Sequence, residues 1–435
     1  MKKIHINTLG CSKNVVDSEV LAGRLDPEQY SITNLPEEAD IIILNTCGFI
    51  QDAKEESIQA ILEAVKLKED DPAKKIFAAG CLTQRYKEEI KNEIPELDGV
   101  FGTEDYQAVL KALGQKHSAA ENFYLQRRIS TPRHYAWLKI SEGCNHQCAF
   151  CSIPQIRGKH RSRTIESLLQ EAGKLAEHGA KEIILISQDT SYYGRDLYNR
   201  QAVYELAAEM QKIDKIDWLR ILYWYPAAFP MEILDLMKEG GKVLPYLDMP
   251  IQHISTNVLK RMKRADTRDS LLKMFEEIKT IVPNIALRTT LILGHPGETD
   301  DDFEELLQFI KDIKFDRLGT FLYSDEEGTA SYGMDDKVPQ DTAAARQKII
   351  MEQQKEISLQ SNMSFIGDTM DVIVDEFDLQ TGTYYGRSYR DAPEIDNDVI
   401  LTAPENDEGQ TTGRIVRAEI IDASEYELYG EFEKT

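Results

Sequence analysis

The run ADIIILNT, residues 39 to 46, is apolar almost without interruption and ends at Cys47. A strand with one wet face alternates in polarity. A run that does not alternate belongs to a parallel strand covered by helices on both faces. The flanking segments repeat the arrangement. KIHINTLG predicts a strand ending at Cys11, followed by the helix VVDSEVLAGRL; KKIFAAG predicts a strand ending at Cys81, followed by the helix TQRYKEEIKNEI. KEESIQAILEAVKLKE has the i, i+3, i+4 apolar spacing of a helix, and VFGTEDYQAVLKAL adds a short strand and helix. Residues 1–115 therefore read as an N-terminal doubly wound α/β domain. Its cysteines are 36 and 34 residues apart, roughly one βαβ unit. All three should leave the same edge of one sheet, where such folds build ligand sites, with Gly10, Gly48 and Gly80 beside them to allow tight turns.

The polar stretch GQKHSAAENFYLQRRISTPRH supplies a linker, residues 116–133. A second series of strands follows: AWLKIS, EIILIS, WLRILYW, YLDMP, ALRTTLIL and RLGTFLY, with helical stretches between most of them. Six such units predict a partial parallel (βα)6 barrel over 134–363, its active site at the C-terminal strand ends, closed by a helix at 343 to 363. From 364 to 435 short strands with Gly and Asp turns (GDTMDVIVDEF, TYYGRSYR, DVILTA, GRIVRAEII) predict a small antiparallel β-barrel.

The charge is −24, which argues against a broad basic surface for nucleic acid. From Ser361 to Thr435 there are 18 Asp and Glu against five Lys and Arg, so the last segment carries −13, over half the total. This reads either as a solubilising surface or as a docking face for a basic partner. No apolar run approaches the ~20 residues that span a bilayer. MKKIHINTLGC lacks the apolar stretch of a signal peptide, so the chain is expected in the cytoplasm. Thiols stay reduced there, and close cysteine spacing points to metal or catalysis rather than disulfides.

EGCNHQCAFCSIP places Cys144, Cys148 and Cys151 in the pattern C-x3-C-x2-C, directly after the first barrel strand. Thiolates suit iron–sulfur clusters or zinc. His146 would complete a Cys3His zinc set, but no second CxxC follows, and the loop sits at the expected barrel mouth. Three ligands on a cubic 4Fe-4S cluster leave one iron open to a small bidentate molecule. With the aromatic Phe150 just before the last cysteine, the motif resembles the signature of radical S-adenosylmethionine enzymes. The resemblance implies that the open iron chelates S-adenosylmethionine, and that the reduced cluster cleaves its sulfonium to a 5′-deoxyadenosyl radical.

With TLGCSKNVVDSE, LNTCGFI, GCNHQCAFCSIPQIRGKHRSR, YLDMPIQHIS, GHPGET and GRSYRDAPEID, essentially the whole chain resembles the RimO-type branch of the radical S-adenosylmethionine methylthiotransferases. The resemblance implies a second 4Fe-4S cluster on Cys11, Cys47 and Cys81, and a TRAM domain at the C-terminus. It also implies methylthiolation of the β-carbon of an aspartate on the twelfth small-subunit ribosomal protein, with an electron donor and a sulfur source from outside and no nucleic-acid or membrane partner. An aspartate β C–H is out of reach of ordinary bases, so the cofactor supplies homolysis, and an open iron on the second cluster can hold sulfide or methylsulfide within reach. In this family one S-adenosylmethionine methylates that sulfur and a second yields the radical. The alternatives are a tRNA-adenosine methylthiotransferase of the MiaB type, whose first motif is typically GCQMN where this chain has GCSKN, and a non-catalytic iron–sulfur scaffold or electron carrier. His295 in GHPGET departs from the Phe common in the wider family.

Other residues are candidates for holding S-adenosylmethionine. Gln188 and Asp189 end the second barrel strand, where plain turn polarity is as good a reading. Gln252 follows YLDMP; its neighbour His253 reads as structural. Arg288 lies among apolar residues and needs a partner, the cofactor carboxylate being one. Gly294, Pro296 and Gly297 form a turn that would admit adenine or ribose, or an ordinary βα turn. RGKHRSR, residues 157 to 163, reads equally as a grip on an acidic group or RNA and as structural salt links, and YSDEEGTAS (323 to 331) as an edge of the substrate entrance.

Overall fold

The computed structural model describes residues 1–115, 123–238, 240–403, 407 and 409–433. Part of the expected linker, 116–122, lies outside the described residues. No helix among those described is long and apolar enough to cross a membrane.

The N-terminal unit is a five-stranded parallel sheet of β1 (Lys2–Thr8), β2 (Tyr30–Ile32), β3 (Ile41–Thr46), β4 (Lys75–Gly80) and β5 (Gly99–Val100), ordered β2-β1-β3-β4-β5. Around it lie α1 (Ser12–Ala22), α2 (Gln51–Asp70), α3 (Cys81–Arg85), α4 (Lys87–Glu93) and α5 (Tyr106–Ala112). Every residue of β3 is buried, as its continuous apolar run requires.

The central unit carries six parallel strands: β6 (Tyr135–Lys139), β9 (Glu182–Ile186), β10 (Trp218–Ile221), β11 (Tyr246–Asp248), β12 (Ala286–Leu293) and β13 (Arg317–Leu322). They form two three-stranded sheets, β6-β9-β10 and β11-β12-β13, joined where Leu219 N–H donates to the Lys242 carbonyl (2.6 Å) and Leu244 N–H to the Leu219 carbonyl (2.9 Å). The short antiparallel pair β7 (Ser141–Glu142) and β8 (Arg161–Ser162) closes the base of the loop that carries the C-x3-C-x2-C motif. Helices α6 (Ile153–Arg157), α7 (Ile165–Glu177), α8 (Arg195–Tyr198), α9 (Val203–Met210), α10 (Ile233–Lys238), α11 (Thr256–Arg261), α12 (Arg268–Ile281), α13 (Asp300–Ile313) and α14 (Gln340–Met363) complete the unit. Sequence dictates their starts: Thr164 caps α7, and Thr267 and Thr299 make capping boxes on α12 and α13. On α13, Phe303, Leu306, Leu307 and Ile310 follow helical spacing and are buried against the sheet. Each such side chain contributes about 1.5–3 kcal/mol.

The last unit is a closed barrel of β14 (Thr369–Asp378), β15 (Thr383–Arg387), β16 (Val399–Thr402), β17 (Ile415–Ala423) and β18 (Leu428–Phe432), ordered β14-β15-β16-β18-β17. All its pairings are antiparallel except β16–β18, which is parallel.

β9, β10, β12 and β13 carry Glu182, Arg220, Arg288 and Arg317 among apolar neighbours, charges that need partners when buried. The segment from Arg387 to Asp396 meets them. Arg387 pairs with Glu182 (2.7 Å), Arg317 donates to Asp391 (2.7 Å), Arg288 to Asp396 (3.1 Å), and Arg220 to the Tyr389 carbonyl (2.7 Å). On the same side Val16 and Val20 of α1 pack with Tyr135 and Trp137 of β6. Both terminal units thus pack against the strands of the central one.

Candidate active site

Cys11, Cys47 and Cys81 follow β1, β3 and β4, three adjacent parallel strands, so their backbones leave the same sheet edge. Cys11 is exposed, Cys47 half-buried and Cys81 buried. Gly10 adopts φ +90°, and a Cβ on it would fall 2.9 Å from the Cys47 sulfur. The thiols sense one another: burial pushes Cys81 up to about 12, with Arg157 pulling it back and Cys11 and Cys47 pushing it further up. Cys47 is held by Ser57, whose hydroxyl accepts its N–H (2.9 Å) and donates to its carbonyl (2.8 Å).

Cys144, Cys148 and Cys151, each half-buried, lie in the loop between β7 and α6 at the C-terminal mouth of the barrel. Burial pushes Cys144 and Cys151 up to about 12, and the neighbouring Cys148 raises both further. Arg264 nearby favours their thiolates, the form that ligates an iron–sulfur cluster. The N–H of His146 donates to the Cys144 sulfur (3.4 Å). The His146 ring does not complete a zinc set: its Nε2 meets Asp189 (2.7 Å) and its face stacks on Tyr225, centroids 3.6 Å apart. Among the described residues no three His, Cys, Asp or Glu side chains gather tightly enough for a single metal ion. A multi-iron cluster, with each thiolate on its own iron, asks for a wider set.

The other predicted residues divide. Gln188, Asp189, Gln252, Gly294 and Pro296 lie at the barrel mouth. Asp189 holds His146, and Gln188 donates to Glu142 (2.8 Å). Gln252, at φ +70°, bonds by its backbone to Thr290 and Ile292 on β12. Phe150 lies edge-on to His295, centroids 6.5 Å apart, so the GHPGET turn packs on the cysteine loop. Gly294 is glycine for a reason inside the fold: at φ +79° its added Cβ would fall 2.6 Å from that of Ala343 on α14. Arg288 is a correction. It sits at the opposite end of β12, with its guanidinium on Asp248 (2.7 Å) and Asp396 (3.1 Å), so an internal partner replaces the cofactor carboxylate. In RGKHRSR the salt-link reading holds: Arg157 and Arg163 pair with buried carboxylates and Arg161 with Glu104. Glu326 of YSDEEGTAS binds Arg85 (2.7 Å) and Lys54 (3.0 Å).

Sequence reasoning missed the polar seam between the two cysteine sets. Asp17 of α1, Lys139 of β6, Glu142 and Arg157 form a buried array. Burial raises Asp17, but Lys139 and Arg157 prevail and bring it to about 2. A lysine ending an otherwise apolar strand was the available signal, because a buried charge requires partners.

A three-thiol loop at the mouth of a six-stranded parallel barrel defines the radical S-adenosylmethionine class. Residues 138–310 match the radical SAM superfamily, 3–102 the family described as uncharacterized protein family UPF0004, and 366–432 the TRAM domain. Among solved structures, the radical S-adenosylmethionine methyltransferase TsrM from Kitasatospora setae aligns with TM-score 0.54 at 12% identity, over 87% of this chain and 79% of that one. The radical enzyme OxsB aligns with TM-score 0.52 at 14% identity, over 83% and 56%. These likenesses concern the fold alone. Proteins named ribosomal protein uS12 methylthiotransferase RimO are 46% identical in Flavobacterium psychrophilum (99% of this chain, 98% of the relative). Those in Bacteroides thetaiotaomicron (98% and 98%) and Clostridioides difficile (99% and 99%) are each 43% identical. The chain belongs to the RimO family of methylthiotransferases, and its radical SAM class entails a 4Fe-4S cluster and S-adenosylmethionine.

Proposed function

We propose that this enzyme transfers a methylthio group to the β-carbon of an aspartate of ribosomal protein uS12, using one cluster on Cys144, Cys148 and Cys151 and a second on Cys11, Cys47 and Cys81. The observation that carries the two-site reading is the pair of three-thiol sets, one at a sheet edge and one at a barrel mouth, joined across a buried seam. The clusters with S-adenosylmethionine supply homolysis of an unactivated C–H bond and a bound sulfur. The chain's own residues do the placing. Asp189 and Tyr225 fix the His146 ring, and His146 N–H supports the Cys144 sulfur. Ser57 fixes Cys47, and Arg157 donates to Cys81 (3.3 Å). Gln188, Asp189, Gln252, Gly294, Pro296 and Phe150 ring the mouth where S-adenosylmethionine would lie. The divisions 1–115, 134–363 and 364–435 follow the roles of second cluster, radical chemistry and substrate docking in the cytoplasm, with electrons and sulfur from outside.

The experiment offers reconstituted enzyme, a reductant and S-adenosylmethionine a uS12 peptide and, separately, unmodified tRNA. A methylthio mass gain on the peptide aspartate is expected. A gain on tRNA with none on peptide establishes the MiaB-type alternative, and no S-adenosylmethionine cleavage at all establishes a scaffold or carrier.

A further inference from the structure

Arg157 lies six residues beyond Cys151, yet it reaches the other cysteine set. It is 4% exposed. Its Nη1 donates to Asp17 (2.7 Å) and Glu142 (3.2 Å), and its Nη2 to Asn14 Oδ1 (2.6 Å) and to the Cys81 sulfur (3.3 Å). Lys139 donates to the same two carboxylates, and the far oxygen of Glu142 accepts from Gln188 at the barrel mouth (2.8 Å). Two carboxylates and two cations make the array neutral as a whole. It is nevertheless oriented, with the guanidinium against Cys81 and a carboxylate toward Gln188. α6, which ends at Arg157, packs on α3, which begins at Cys81, so both side chains project from neighbouring helices. The electrostatic influence of Arg157 also extends to Cys11 and Cys47.

We propose that Arg157 is a positioning residue that sets the reduction potential of the cluster on Cys11, Cys47 and Cys81 through its hydrogen bond to the Cys81 sulfur. This rests on the reading of those cysteines as a second cluster site. Adding an electron makes a thiolate-held cluster one unit more negative. A buried guanidinium donating to one of its sulfurs stabilises that state more than the oxidised one, and the low dielectric of the seam strengthens the effect. Arg157 therefore raises the midpoint potential. The Cys144 set has a different near cation, Arg264.

The test uses the full chain with Cys144→Ala, Cys148→Ala and Cys151→Ala, reconstituted with iron and sulfide, so that the N-terminal site is read alone. Its midpoint is measured by dithionite titration followed by electron paramagnetic resonance, with Arg157 intact and as Arg157→Gln or Arg157→Lys. Arg157→Gln is expected to lower the reduced-to-oxidised ratio at fixed potential about tenfold, about 59 mV for one electron. Arg157→Lys keeps the charge without the planar fork and should fall between. Unchanged midpoints in both variants overturn the proposal. So does loss of iron from both while circular dichroism and unfolding match the parent, because Arg157 then serves assembly alone. A parent with Arg157 intact that holds no iron refutes instead the reading of the three cysteines as a cluster site.

Discussion

At the residue scale, two buried imidazoles shape the response to acid. Burial brings His253 to about 3 and His295 to about 4, and neither Nε2 has a hydrogen-bond partner among the described residues. Both are therefore neutral in the fold, whereas an unfolded histidine takes a proton near 6.5. Below that pH the unfolded chain binds protons the native one does not. Stability is complete above about 6.5 and is lost as pH falls toward 4, at up to about 1.4 kcal/mol per pH unit for each histidine. His295→Phe should keep the edge contacts with Phe150 and Tyr323 and flatten this dependence by up to one proton, with little change at pH 7 because loss of the Nδ1 bond to the Pro296 carbonyl offsets removal of the unpaired Nε2. Denaturant unfolding from pH 4 to 7.5 checks both expectations. Gly294→Ala should cost about 2 kcal/mol in the same measurement, from a positive φ and a clash with α14. The grouping of the six cysteines, three at one sheet edge and three in one loop, was legible because strand ends and C-x3-C-x2-C spacing fix where each thiol emerges. The meaning of Gly294 and Arg288 was not, because α14 and Asp396 reach them from 49 and 108 residues away.

At the element scale, the apolar runs and caps sufficed to place β1, β3, β4 and all six barrel strands. The two-residue strands β7 and β8 escaped, and so did β2 and β18, of three and five residues. None has enough positions to show a period. The existence of β2 and β18 depends on a neighbouring edge: β1 for the first, and both β16 and β17 for the second. The loop after β13 was read as an entrance; its Glu326 is also a clasp that joins α2 and α3 to the barrel through Lys54 and Arg85. Glu326→Gln leaves Arg85 buried without its counter-charge, so a loss of about 3 kcal/mol is expected by chemical denaturation. Protease cleavage at the seam should rise with it.

At the scale of the whole molecule, the acidity of the last segment has two uses. Asp375, Asp391 and Asp396 are spent inside, on Arg387, Arg317 and Arg288, while the exposed Glu394 accepts from the Tyr135 hydroxyl. Other acids among the described residues, such as Asp371, Glu419 and Glu431, are exposed and face solvent. No composition count separates these roles, since only tertiary placement tells an internal partner from a surface charge. Asp391→Ala should uncouple the C-terminal barrel from the central one, because Arg317 then stays buried and unpaired. Calorimetry should show the transition losing cooperativity, with about 3 kcal/mol lost. The same long-range assembly brings the two cysteine sets to one seam, and that arrangement underlies the proposed chemistry. Its most direct test is iron counting on the reconstituted chain. Replacing Cys11, Cys47 and Cys81 together, or Cys144, Cys148 and Cys151 together, should in each case remove about half of the iron bound by the parent. Full iron in the first variant would contradict a second cluster site.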